Sequence, residues 1–312
     1  SPPVSKELMM AEIVKTPRKK AGRTGGGAVV YDLTHARHDP AHVLAPGLFR
    51  SLGRGDRARL KLDVTYIHGD DRLEFGGKEP LGVDDMRVLQ GLVAMAGPDG
   101  LILRDEDQTS PAGKQLILDL FTPPAVIADA GKKPDTLVVR DSFRRLAREI
   151  GFPEGGTNLK AIRKCVERLF GVTVFVLSGK RRVGMRLLSA YASDEGTGDL
   201  FVALNPRLAG AIFGDRQHIR IELAEVRALG TDPARLIHQR LCGWIDAGKS
   251  GKATIETLAE YVWPEPTEIE STQKKRRMTV RKALAELSAI DWTVNEYGRG
   301  KFEIARPKAK RP

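Results

Sequence analysis

Apolar residues recur along this chain in two rhythms. Leu60, Leu62, Val64 and Tyr66 alternate with polar neighbours, and Leu73 and Phe75 resume the alternation after Gly69-Asp70-Asp71. Period two on either side of a Gly-Asp break predicts a β-hairpin. From Val83 to Ala96 the rhythm changes, with Met86, Leu89, Leu92, Val93 and Ala96 spaced by three and four until Gly97-Pro98. That spacing predicts a helix with one apolar face, and the Gly-Pro pair ends it.

The central segment reads strand, helix, turn, helix, strand, turn, strand. Thr136 to Val139 is a short β-branched run, and Phe143, Leu146, Ala147 and Ile150 follow at helical spacing before Gly151-Phe152-Pro153. A further helix starts near Thr157, with Leu159, Ile162, Val166 and Leu169 on one face and Lys160, Arg163, Lys164 and Glu167 on the other. Val172 to Leu177, the turn Gly179-Lys180-Arg181-Arg182, and Met185 to Tyr191 then predict an antiparallel pair with a charged tip. This is the pattern of a helix-turn-helix followed by a wing.

The same plan recurs after Thr231. Ile237, Leu241, Trp244 and Ile245 mark a helix from Pro233 to Ile245, released by Gly248 and Gly251. Ile255, Leu258, Ala259 and Val262 mark a second, closed by Trp263-Pro264 and Pro266. A long basic helix and a hairpin follow, Trp292 to Tyr297 and Lys301 to Ile304 around Gly298-Arg299-Gly300. The duplicated order predicts an α+β protein of two tandem winged-helix domains, residues 31–222 and 223–306. They are flanked by a disordered basic arm over residues 1–30, rich in Lys and Arg around Gly25-Gly26-Gly27, and by a basic tail over 307–312. The Leu101–Asp135 insertion, with a strand expected over Leu116–Phe121, is a candidate for self-association.

Charge adds a direction to this fold. In 312 residues, 51 Lys and Arg against 40 Asp and Glu give a net +11, a surface suited to polyanions. The excess is concentrated in Lys274-Lys275-Arg276-Arg277-Met278-Thr279-Val280-Arg281-Lys282, six basic residues in nine. At 100° per residue, Val280, Ala283, Leu284 and Leu287 share one side of that helix, and Lys274, Lys275, Met278, Arg281 and Lys282 the other. Such a helix fits the DNA major groove, where Arg and Lys donate to guanine O6 and N7 while their neighbours hold phosphates. The DNA-binding set expected from this helix is Lys274, Lys275, Arg277, Met278, Arg281 and Lys282. The first unit contributes Asn158, Lys160, Arg163 and Lys164, with Glu167 either pairing with Lys164 or accepting from a cytosine amino group. Hairpin tips supply Lys180, Arg181, Arg182, Arg299 and Lys301 for phosphate or minor-groove contacts.

Other chemistry is poorly represented. No GxxxxGK[ST] loop is present to cradle a nucleotide phosphate, and no two of the six His residues form the His-hydrophobic-His pair of a metal-dependent nicking site. His35, His38, His42 and Asp39 cluster, yet no cysteine or second carboxylate completes a metal set, so neither a metal nor a cofactor is expected. Carboxylates such as Asp84, Asp85 and Glu106 are expected at helix starts and in loops, so the chain is read as a non-enzyme. Cys165 and Cys242 lie in apolar helical patterns, as free thiols do in a reducing compartment. With no apolar run of membrane-spanning length and no signal-like segment, a cytoplasmic protein with no membrane partner is expected.

Several longer strings, HARHDPAHVLAPGLFRSL (35–52), KLDVTYIHGDDRLEF (61–75), LQGLVAMAGPDGL (89–101), LLSAYASDE (187–195), RLCGWIDAGKSGKATIETLAEYVWP (240–264) and DWTV (291–294), resemble the iteron-binding replication initiators of IncQ-type plasmids, the RepC family. The resemblance covers roughly residues 33 to 308, and the basic arm is longer than the family's usual start. It implies binding to directly repeated origin sites in double-stranded DNA, opening of adjacent AT-rich DNA, and loading of a plasmid-encoded helicase and primase. A winged-helix transcriptional regulator on a symmetric operator would share the fold and the charge.

Overall fold

The computed structural model describes residues 29–99, 101–103, 136–194 and 196–309. The basic arm up to residue 28, most of the insertion with its expected Leu116–Phe121 strand, Glu106, and the last three residues of the tail lie outside the described residues.

The chain opens with β1 (His35–His38) and α1 (Pro40–Leu44), a short helix capped by Asp39, whose carboxylate accepts from the Ala41 and His42 amides. The single turn α2 (Asp56–Arg59) leads into the hairpin β2 (Leu62–His68) and β3 (Asp71–Gly77). Its register pairs Leu62 with Gly77 and His68 with Asp71, turning at Gly69-Asp70. Next come α3 (Val83–Asp99), β4 (Leu101–Leu103), β5 (Thr136–Ser142), α4 (Phe143–Glu149) and α5 (Gly156–Phe170). The Ser142 hydroxyl caps α4 by accepting from the Arg145 amide. Then β6 (Thr173–Ser178) and β7 (Arg181–Arg186) form a hairpin, followed by β8 (Leu188–Ser193), β9 (Asp199–Leu204), α6 (Pro206–Phe213), β10 (Ile219–Glu222) and α7 (Leu223–Ala228).

One detail departs from the pattern read in the sequence, which runs the second strand of the first hairpin from Met185 to Tyr191. The chain instead changes sheets at Leu187. β7 pairs with β6 in the order β2-β3-β6-β7, whereas β8 pairs with β9 in the order β4-β5-β9-β8. Leu187 and Leu188 are both fully buried, which a straight strand with one wet face does not permit. The crossover is held by the Leu187 amide on the Val172 carbonyl and by the Asn205 side-chain amide donating to the Leu187 carbonyl.

The remaining elements are α8 (Asp232–Trp244), β11 (Ser250–Thr254), α9 (Ile255–Glu260), α10 (Glu270–Ser288), β12 (Thr293–Gly298) and β13 (Lys301–Ala305), with strand order β11-β13-β12. The Thr231 hydroxyl caps α8, and Glu286 of α10 reaches back to accept from the Gly230 and Thr231 amides, tying the long helix to the start of α8. Asp291 takes a left-handed φ of 69° between α10 and β12, a conformation Asp tolerates better than a branched residue. Gly251 leaves room for the Trp244 ring, which a side chain there would overlap.

These segments pack around one continuous core. α3 lies on α5, α4 and β1, and its Leu89 and Leu92 share that core with Ile237, Leu241, Val280 and Leu284. The first described elements also lie against the last third of the chain. β1 pairs antiparallel with β10, and α1 packs on α8. Arg50 pairs with Glu265, and the Ser51 amide donates to the Val262 carbonyl. Gln90 of α3 donates to the Gln239 side chain of α8 at 2.7 Å in a buried position.

Candidate nucleic-acid interface

α10 carries the strongest surface feature. Val280, Ala283, Leu284 and Leu287 are buried, the four positions that its periodicity places inward. Burying that stripe turns Lys274, Lys275, Arg277, Met278, Arg281 and Lys282 outward, and all six are exposed. Met278 is 54% exposed among these cations, an apolar group presented to solvent within a polar face. Arg276, by contrast, is half-buried, its guanidinium 5.3 Å from the Trp263 ring and donating to the Glu265 carbonyl, which anchors the N-terminal half of the helix.

Two of the outward arginines are paired with acids. Arg277 Nε lies 3.2 Å from Glu256 of α9. Arg281 makes a two-point contact with Glu296 of β12, and its guanidinium sits 5.4 Å from the Phe302 ring. Arg281 and the Gly300 amide hold the Glu296 carboxyl down to about 2, so it stays ionised at neutral pH. Among the described residues, no ion pair engages Lys274, Lys275 or Lys282.

The β12–β13 hairpin stands beside this helix, packed on it. Arg299 and Lys301 are exposed at its tip. The structure adds two groups that the sequence reading passes over. Lys252 of β11 points its ammonium at the Tyr297 ring, 5.2 Å away, and Tyr297 is 51% exposed. Their signal was the alternation through Lys252-Ala253-Thr254, which marks a strand whose outward residue shares the hairpin face.

α5 and the β6–β7 hairpin present a weaker version of the same surface. On α5, Ile162, Cys165, Val166 and Leu169 are buried, and Lys160, Lys164 and Glu167 are exposed. Arg163 is half-buried, its guanidinium 4.9 Å from the Phe143 ring, and so lies lower on the helix than the two lysines. The Asn158 amide donates to the Pro153 carbonyl at 3.0 Å, bracing the turn before the helix. At the β6–β7 tip, Lys180, Arg181 and Arg182 are exposed, and Arg182 stacks on Phe175 while pairing with Glu74 of β3.

The histidine cluster at the start of the chain forms a buried polar network. His42 Nδ1 lies 2.7 Å from the Asp39 carboxylate, Arg207 approaches its other oxygen at 3.5 Å, and His35 turns away to Arg220. Burial would raise the Asp39 carboxyl, but His42 and Arg207 outweigh it and hold the group below its usual range. Burial, and then His42, push His38 down to about 4. Asp85 is equally structural, accepting from the Gly82 amide and pairing with Arg57 and Arg168. Both cysteines are buried and free. No helix among the described residues is long and apolar enough to cross a membrane.

Solved structures share this architecture at low sequence identity. A selenomethionine crystal structure of domains 2 and 3 of RctB aligns with a TM-score of 0.53 at 10% identity, covering 87% of this chain and 99% of that one. A second structure of RctB domains 2–3 gives 0.51 at 10% identity, over 85% and 95%. Among curated proteins none matches. The sequence profile for replication protein C matches residues 30–308, nearly the whole described fold, and the chain therefore belongs to the replication protein C (RepC) family of replication initiators.

Proposed function

We propose that this chain initiates plasmid replication by binding directly repeated sites, or iterons, in the origin through two winged-helix units, with α10 as the principal reading helix and α5 as the second. The observation that carries this reading is the division of α10 into a wholly buried apolar stripe and a cationic face containing Lys274, Lys275, Arg277, Arg281 and Lys282, with the Arg299 and Lys301 hairpin tip beside it. A helix anchored on one side and basic on the other is suited to the major groove, and the adjoining hairpin to flanking phosphates. Helix, strand, helix, helix and hairpin follow in winged-helix order from α8 to β13. The two units differ in sequence and in surface, which suits asymmetric, directly repeated sites better than palindromes. Opening of AT-rich DNA and delivery of a helicase and primase follow from the family resemblance, with no catalytic step assigned to this chain.

The test is a footprint on the cognate origin at two salt concentrations, without nucleotide. Protection of evenly spaced direct repeats, each about two helical turns long, supports the reading. Protection of a single palindrome over a promoter makes the protein a regulator, and strand scission with a divalent metal makes it a nuclease.

A further inference from the structure

Three metal-ligating side chains converge between α7 and α8. Glu225 comes from α7, and His238 and Cys242 stand one turn apart on α8, so both face the same side. His238 Nε2 lies 2.6 Å from Glu225 Oε2 and 3.5 Å from Cys242 Sγ, and the three donor atoms all fall within 4.8 Å of one another. His238 and Cys242 are buried, and Glu225 nearly so. We propose that Glu225, His238 and Cys242 form a zinc-binding site that pins α7 to α8, with a water as the fourth ligand.

The donor set matches the chemistry. One imidazole nitrogen, one thiolate and one carboxylate suit a borderline-soft, tetrahedral divalent ion. With zinc–nitrogen and zinc–sulfur bonds of about 2.1 and 2.3 Å, a tetrahedral ion separates its nitrogen and sulfur ligands by about 3.6 Å. His238 and Cys242 already stand at 3.5 Å. The Glu225 oxygen, 2.6 Å from the same His238 nitrogen, must draw back from it to make room for an ion, and its side chain is the one that reaches solvent, at 14% exposure.

Charge also balances. A carboxylate, a neutral imidazole, a thiolate and Zn²⁺ sum to zero, so the loaded site leaves no net charge in a buried position, and the protons the ligands give up go to solvent.

An outer layer is in place too. Trp292 Nε1 donates to Glu225 Oε2 at 3.2 Å, and its ring meets His238 edge-on at 5.6 Å. Arg306 donates to the Cys242 carbonyl at 3.1 Å. Such partners orient ligands around a metal.

The experiment uses the purified full chain and cobalt as a spectroscopic substitute for zinc. One equivalent of Co²⁺ per chain should produce a near-ultraviolet sulfur-to-cobalt charge-transfer band that Zn²⁺ abolishes. Cys242→Ser should remove the band, and Cys165→Ser should leave it intact. Glu225→Gln alters the least buried ligand, and it should keep the band while weakening metal affinity at least about tenfold. Absence of a band in the parent chain overturns the site and leaves a histidine–carboxylate ion pair. So does a band that survives Cys242→Ser or is lost in Cys165→Ser.

Discussion

Arg281 on α10 and Glu296 on β12 face each other across the junction of helix and hairpin, the two terminal nitrogens 2.5 and 2.8 Å from the two carboxylate oxygens. This arginine of the cationic face therefore enters any DNA complex already partnered. Glu296 either stays, as a brace that aims Arg281, or yields it to a base. Replacing Arg281 by Ala should weaken cognate binding by about 1–3 kcal/mol and random DNA by much less, since a bidentate guanine contact is lost. Competition binding measures both, and equal losses would remove Arg281 from base reading. Glu296→Gln, which frees the guanidinium, should raise affinity for random DNA a few-fold.

The hairpin tips make a different prediction. Lys180→Ala and Arg299→Ala each delete an exposed cation at a turn, where contacts fall on phosphate. Each should weaken all sequences alike and lower the slope of log affinity against log salt by about one. A loss confined to the cognate site would mean that the tips read sequence.

Acid sensitivity should trace to His38. In the fold it takes up a proton only near pH 4, whereas the unfolded chain does so at its ordinary 6.5. The unfolded state therefore binds more protons between those values. Stability is complete above 6.5 and is lost as pH falls toward 4, by about 3 kcal/mol. The groups facing His38 are His42 and Asp39, and Asp39 titrates below this window. Urea midpoints at pH 7 and pH 4.5 should converge in His38→Asn, and an undiminished gap would place the acid sensitivity elsewhere.

Gly243 allows α1 to lie close on α8, since a Cβ there would overlap the Leu44 side chain. Gly243→Ala should lower stability by about 1–3 kcal/mol through overpacking. Thermal unfolding reads the loss, and Leu44→Ala in the same chain should restore part of it. No recovery would put the strain at another contact.

What the sequence made legible is local. The α10 stripe was visible because 3.6-residue periodicity and its charge lie in one run, and the β2–β3 hairpin because its turn sits between two alternating strands. Partnerships across the chain were not. Nothing near Arg281 marks Glu296 as its partner, and nothing near His238 marks Glu225, 13 residues earlier. The sheet change at Leu187 was hidden because two adjacent buried leucines, one at the bend and one opening β8, read as one continuous strand. The His38–Asp39–His42 run was visible as a cluster, but its role as a buried network depends on Arg207, far along the chain.

The buried Gln90–Gln239 bond, with α1 seated on α8, fixes α3 to α8. If both units read DNA, the gap between their reading helices is then set by the protein, which acts as a ruler. Half a turn of extra DNA inserted within one repeat would carry the second half-site around to the far side of the duplex, where a rigid ruler cannot follow.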